Sequence, residues 1–143
     1  MSSEPPPAPG SRLGFLLKHA NLRLTELNTA ALAPLGIDGR ELGVLLAIGT
    51  GEPPSQLEAA NRLGIDRTTM VAMLDALEGK GVLTRHPDAD DRRRNVVELT
   101  ASGHETLAAA VAASDAAERD LLAALPPAEA AAFRAALRAI VEH

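Results

Sequence analysis

The order of signals between residues 55 and 100 constrains this chain more than any other feature. Ser55-Gln56-Leu57-Glu58 has the form of a capping box, a hydroxyl followed three residues later by a carboxylate, and so opens a helix. Leu57, Ala60 and Leu63 form its apolar face, and Gly64 can take the left-handed turn at its end. Asp66 is a good N-cap for the next helix, which turns Met70, Met73 or Leu74, and Leu77 inward before Gly79 and Gly81 stop it. The pattern then changes. Val82–His86 and Asn95–Leu99 read as short strands, with Val97 and Leu99 on one face and a polar loop between them. Two short helices about a tight turn, followed by a hairpin, predict a helix-turn-helix whose second helix enters the major groove.

The residue types at the two exposed ends of this unit suit DNA. The first turn of the second helix presents Asp66, Arg67, Thr68 and Thr69. Arg and Thr can hydrogen-bond base edges or phosphates, and the Thr methyl can touch a thymine methyl. Ala72 and Met73 follow on the same helix and offer no hydrogen bonds, so base readout rests on Arg67, Thr68 and Thr69. The hairpin tip carries Arg92, Arg93 and Arg94, and guanidinium groups on a thin loop suit a narrow, electronegative minor groove. Ser55, Gln56, Arg62 and Lys80 are weaker candidates, for phosphate contact.

Helical segments flank the unit. Residues 1–10 are half proline and glycine and predict a disordered tail. From Leu13, an apolar seam runs through Leu17, Ala20, Leu24, Leu27 and Ala31 in steps of four and three, widened by Phe15 and Leu22, until Pro34-Leu35-Gly36 ends it. Asp38-Gly39-Arg40-Glu41 is another capping box, opening a helix over Leu42, Leu45, Leu46 and Ile48. Thr100 caps a long helix with Leu107, Val111, Ser114, Leu121 and Leu125 at helical spacing. After Pro126-Pro127 a last helix lines up Phe133, Leu137, Ile140 and Val141.

Composition removes several alternatives. The 143 residues include no cysteine, which excludes disulfides, a thiol nucleophile and thiolate metal sites. With Phe15 and Phe133 as the only aromatics, stacking on single strands is disfavoured. The net charge is −5, with no bulk basic character, and the acid is concentrated after residue 100, where three basic residues face six acidic ones. No apolar run approaches the roughly 20 residues of a membrane span, and Met1-Ser2-Ser3-Glu4-Pro5-Pro6-Pro7 predicts no secretory signal, which suits a cytoplasmic protein. His86, Asp88, Asp90 and Asp91 do not match a calcium loop. His104 with Asp115, or His19 with Glu26, has no nucleophile in register. The sequence therefore predicts no enzyme, no metal and no cofactor.

Four stretches carry a family resemblance: Ile65-Asp66-Arg67-Thr68-Thr69, then Leu74–Leu83, then Asp88-Ala89-Asp90-Asp91-Arg92-Arg93-Arg94, then Leu99-Thr100-Ala101-Ser102-Gly103. In this order and spacing they resemble the MarR family of bacterial winged-helix transcription regulators. The motif covers about residues 38–103, and the flanking helices fit the layout of the family. Ala89 stands where proline is common, and Ala72 where many members are basic or polar.

The resemblance implies a mainly α fold with a small β-hairpin wing, a winged helix-turn-helix with N- and C-terminal dimerisation helices. It implies an N-terminal dimerisation helix over 11–37, a DNA-binding lobe over 38–100 and C-terminal dimerisation helices over 101–143. It further implies a homodimer on a palindromic duplex operator, with Arg93 in the minor groove, Asp91 bracing the wing, and Arg92 or Arg94 on phosphate or sharing the groove. A small aromatic or phenolic effector would bind between the dimerisation helices and the lobe, where His19, Asn21 and Arg23 could supply polar contacts. The function so implied is a ligand-responsive repressor. The alternative is a winged-helix interaction adaptor without DNA binding, motivated by Ala72 and the acidic balance.

Overall fold

The computed structural model describes residues 3–6 and 8–143. The tail expected over 1–10 falls partly on residues 1, 2 and 7, which lie outside the described residues. Within the rest, Pro9–Ser11 forms a single 3-10 turn. Six helices and one hairpin follow: α1 (Leu13–Leu32), α2 (Gly39–Gly49), α3 (Gln56–Leu63), α4 (Arg67–Gly79), β1 (Leu83–Pro87), β2 (Asn95–Leu99), α5 (Ala101–Leu122) and α6 (Pro127–Val141). The mainly α class with a small hairpin is thus the observed fold.

The helix starts form where local chemistry dictates. Asp38 accepts from the Glu41 N–H at 2.9 Å while the Glu41 carboxylate accepts from the Asp38 N–H at 3.3 Å, a complete capping box for α2. Thr100 Oγ1 accepts from the Gly103 N–H and donates to the Gly81 carbonyl at 2.7 Å, so one hydroxyl starts α5 and fastens it to the turn after α4. A Cβ on Gly103 would lie 1.8 Å from the Val82 carbonyl oxygen, so only glycine lets α5 approach the wing this closely.

The strands pair antiparallel, with Leu83 opposite Leu99 and Pro87 opposite Asn95. The first strand runs one residue later at both ends than the pattern predicts, because the Val82 N–H still closes the end of α4 on the Leu77 carbonyl at 3.3 Å. The Val97 N–H donates to the Pro54 carbonyl at 2.9 Å, and Ser55 forms a bridge with Val96. The wing therefore lies against the start of α3.

One core fills the lobe. Leu32, Val44, Leu45, Met70, Leu74, Leu77, Leu83 and Val97 are all essentially inaccessible. Three core expectations need correction. Leu57 is 64% exposed, because α3 packs through the small side chains of Ala59 and Ala60 and turns Leu57 outward. Leu46 is exposed while Val44 is fully buried, so α2 is rotated relative to the predicted face. Leu125 lies beyond the end of α5, in the turn before α6, with its N–H on the Leu122 carbonyl.

The terminal helices differ from the lobe. Helix α1 packs along α5, where Ser114 Oγ donates to Asn28 at 3.0 Å, but Leu13, Phe15, Leu16, Leu17 and Leu22 remain exposed. Helix α6 buries no residue fully, and Phe133, Ile140 and Val141 of its apolar face are exposed. No helix of the described residues is long and apolar enough to cross a membrane.

Candidate nucleic-acid interface

Helices α3 and α4 meet through Gly64, whose φ of 63° is left-handed. The turn brings Asp66 to the head of α4. Its carboxylate accepts from the Thr69 N–H at 3.0 Å and from Thr69 Oγ1 at 2.6 Å, and these bonds hold it below the usual aspartate range. Asp66 and Thr69 are thus the cap of α4, and the Thr69 hydroxyl proton is already engaged. Met73 packs against the core rather than on the outer face. Near its start, the surface of α4 left open is formed by Arg67, Thr68 and Ala72, joined by the half-buried Val71, which the sequence reading missed; Asp75, Ala76 and Glu78 are exposed farther along. Positions 68 and 72, like 67 and 71, are one turn apart and so share a face.

A cleft of about 550 Å³ separates this helix and α3 from the wing, with Arg67, Val71, Arg93, Arg94, Glu58 and Leu57 among its walls. The wing tip closes through the Asp88 N–H on the Arg94 carbonyl at 2.8 Å. Asp91 shapes it from inside: its side chain accepts from the Arg93 N–H at 3.1 Å, and its carbonyl from the Arg94 N–H. Arg92 and Arg93 are exposed, and among the described residues neither they nor Arg67 enter an ion pair.

The base of the wing is fastened by Arg85, a residue the site reading missed. Its guanidinium, about one-fifth exposed, donates to Glu78, Asp75 and the Gln56 side-chain oxygen, joining β1 to α4 and α3. The Arg85 hydrogen bonds hold the Glu78 carboxyl below its usual value, and in return Glu78 and then Asp75 raise that of Arg85. The signal in the sequence is the spacing of Asp75 and Glu78, one turn apart on α4, ahead of an arginine in the first strand.

The four weaker phosphate candidates are engaged within the chain. Ser55 is buried, and its hydroxyl accepts from the Glu58 N–H at 3.1 Å. Gln56 accepts from Arg85. Arg62 donates to the Ala47 carbonyl at 3.1 Å, tying α3 to α2. Lys80 donates to the Gly36 carbonyl at 2.8 Å and pairs with Glu41 at 2.7 Å, tying the end of α4 to the corner between α1 and α2. Only half of the capping box expected at Ser55 forms, since the Glu58 carboxylate pairs with Arg94.

Of the three residues expected around an effector, one lines a cleft. Asn21, with Thr25, Asn28 and Thr29, faces Asp38, Gly39 and Arg40 across about 370 Å³ between α1 and the start of α2. His19 stacks on Phe15 instead, ring centroids 4.0 Å apart. Residues two apart on a helix point about 200° from each other, so His19 and Arg23 cannot share the Asn21 face. The polar stripe at 21, 25, 28 and 29 was the readable signal. Among the described residues no cluster of acidic and histidine side chains could hold a metal ion.

A sequence model of the MarR family matches residues 35–94. The chain is 35% identical to the transcriptional repressor CouR bound to a 23-mer DNA duplex, over 92% of this chain and 94% of that one, with a TM-score of 0.86. It is 28% identical to CouR from Rhodococcus jostii RHA1 bound to p-coumaroyl-CoA, over 94% and 95% of the two chains, with a TM-score of 0.81. A cysteine-to-serine mutant of MarR from E. coli complexed with operator DNA is 26% identical, over 90% and 92%, with a TM-score of 0.80. Helix-turn-helix, anchored wing and flanking helices coincide with these structures along nearly the whole chain, and the protein belongs to the MarR family.

Proposed function

We propose that the protein is a ligand-responsive transcriptional repressor that binds a palindromic duplex operator as a homodimer in the cytoplasm. The observation that carries this reading is the placement of Arg67 on α4 and Arg92 and Arg93 on the wing. Among the described residues these three cations enter no ion pair, and they cluster at the two exposed ends of the lobe, although the lobe as a whole is net acidic like the residues after 100. The attraction for DNA is therefore local, at the head of α4 and the wing tip, where the free guanidinium groups stand. The likeness to CouR bound to a DNA duplex and to MarR complexed with operator DNA supports duplex DNA as the partner. Helix α4 enters the major groove with Arg67 and Thr68, and Arg93 enters the minor groove from a tip that Asp91 shapes.

The exposed apolar faces of α1 and α6 support a dimer, because a second copy would cover them with the same residues. The cleft at Asn21 supports an effector site between α1 and the lobe, and CouR bound to p-coumaroyl-CoA supports an aromatic effector. A ligand that changes the spacing of the two lobes would lower DNA affinity, since both half-sites must be engaged together. The family is one of transcription regulators rather than enzymes.

The test is fluorescence anisotropy of labelled DNA from upstream of the gene, over a salt series, with the wild type and Arg93→Ala. Specific binding with a steep salt slope, weakened by about 1–3 kcal/mol in the variant, is the expected result. Weak binding that Arg93→Ala leaves unchanged would replace this reading with the interaction adaptor.

A further inference from the structure

Glu58 stands where a capping-box carboxylate folds back on its own helix, yet it reaches across the cleft to Arg94 of the wing. Three facts place it there. The Pro54 carbonyl and the Ser55–Val96 bridge hold β2 against the start of α3. The Arg94 backbone is locked by Asp91 and Asp88, so its side chain leaves the wing near the base rather than the tip. Ser55 alone caps α3, which frees the Glu58 carboxylate while its charge still favours the first turn of the helix.

The cleft that Glu58 enters is otherwise cationic, with Arg67, Arg93 and Arg94 on its walls. A guanidinium fits a carboxylate and a phosphate by the same two-pronged geometry, so Glu58 and a DNA phosphate compete for one partner. Both side chains are nearly half exposed, and an exposed pair of this kind is weak enough to be exchanged.

We propose that Glu58 is an intramolecular phosphate mimic that withholds Arg94 from the DNA backbone and so sets the repressor's affinity below the maximum its cations allow. Arg94 is then a held contact rather than a resident one, and Glu58 is a positioning residue acting through it. This rests on the DNA-binding reading above. The device would act on every sequence alike, because a phosphate contact carries no base information.

The experiment is a double-mutant cycle on the full chain, with Glu58→Gln measured in the wild type and in the Arg94→Ala background. The readout is anisotropy of the labelled upstream duplex over a salt series. Gln keeps the size of the side chain and suits the first helical turn, and circular dichroism checks that each variant folds. We expect Glu58→Gln to tighten binding about threefold to tenfold and to steepen the slope of log K against log salt by about 0.9, one phosphate contact. In the Arg94→Ala background the same change should bring neither effect. Loss of the gain without Arg94 separates a released contact from the general benefit of removing a negative charge. A gain that persists there overturns the inference, as does Glu58→Gln without any gain. If the wild type binds specifically and Arg93→Ala weakens it, only the role of Glu58 falls. If no variant binds DNA specifically, the regulator reading falls and this inference with it.

Discussion

The winged lobe and the terminal helices solve the same problem in opposite ways. In the lobe, apolar side chains from α2, α4, both strands and the end of α1 close on one another, and Leu74, Leu45 and Val97 are wholly buried. In α6 an equally apolar face stays open, with Ile140 71% and Val141 81% exposed. The lobe also fastens itself with polar ties between distant elements, Lys80 to Glu41 and Arg85 to Asp75 and Glu78. Among the described residues, helix α6 has a single ion pair to α5, Arg134 with Glu118. The contrast teaches that the lobe closes its core within one chain, whereas the terminal helices leave apolar faces open that the dimer proposed above would cover with a second copy.

The largest effect should come from attacking the open face. Ile140→Glu puts a charge into both halves of a symmetric interface. It should weaken dimerisation by about 3–6 kcal/mol, twice the burial of one aliphatic side chain. Sedimentation would show monomer while the core of the lobe remains folded; an unchanged dimer would break the comparison. Leu74→Ala attacks the closed core instead and should cost about 2–5 kcal/mol of stability in denaturant titration. Arg93→Ala should leave the melting temperature alone and cost about 1–3 kcal/mol of operator binding.

A smaller effect sharpens the role of the caps and struts in the lobe. Asp66 and Glu78 both have native values held below their ordinary ones, so each stabilises the fold at neutral pH. That contribution is full above the ordinary carboxylate range. It fades as pH falls through that range and is gone below the lowered native values. The Asp66→Asn, Glu78→Gln double variant should therefore show a flatter loss of stability on acidification, followed by thermal melts across the acid range. An identical acid profile would remove both groups from the account.

Much of the fold was legible because its signals are local. A capping box, a glycine turn and a period-two strand act within a few residues, so Asp38, Gly64 and Asn95–Leu99 announced their elements directly. The fates of long polar side chains were not legible. Glu58 satisfies the capping-box pattern, but pairs with an arginine 36 residues away. Lys80 and Arg62 look like free surface cations in the sequence, and both end on backbone carbonyls of other elements. Leu57 fits the apolar face of α3 by spacing, but Ala59 and Ala60 let α2 and α4 come so close that the helix turns it out.

The sequence by itself determined the element order, the helix starts, the family and the positions of Arg67, Arg92 and Arg93. These depend on periodicity, on backbone preferences and on short motifs, all of which are properties of neighbours along the chain. Only the tertiary structure decided which cations stay unpaired and which serve as ties, that Asn21 lines a cleft while His19 and Arg23 do not, and that Arg94 is held by Glu58. Those outcomes turn on distances of a few ångströms between side chains far apart in the sequence. A long charged side chain ends on whichever partner the packing brings within reach, and spacing along the chain does not specify that partner.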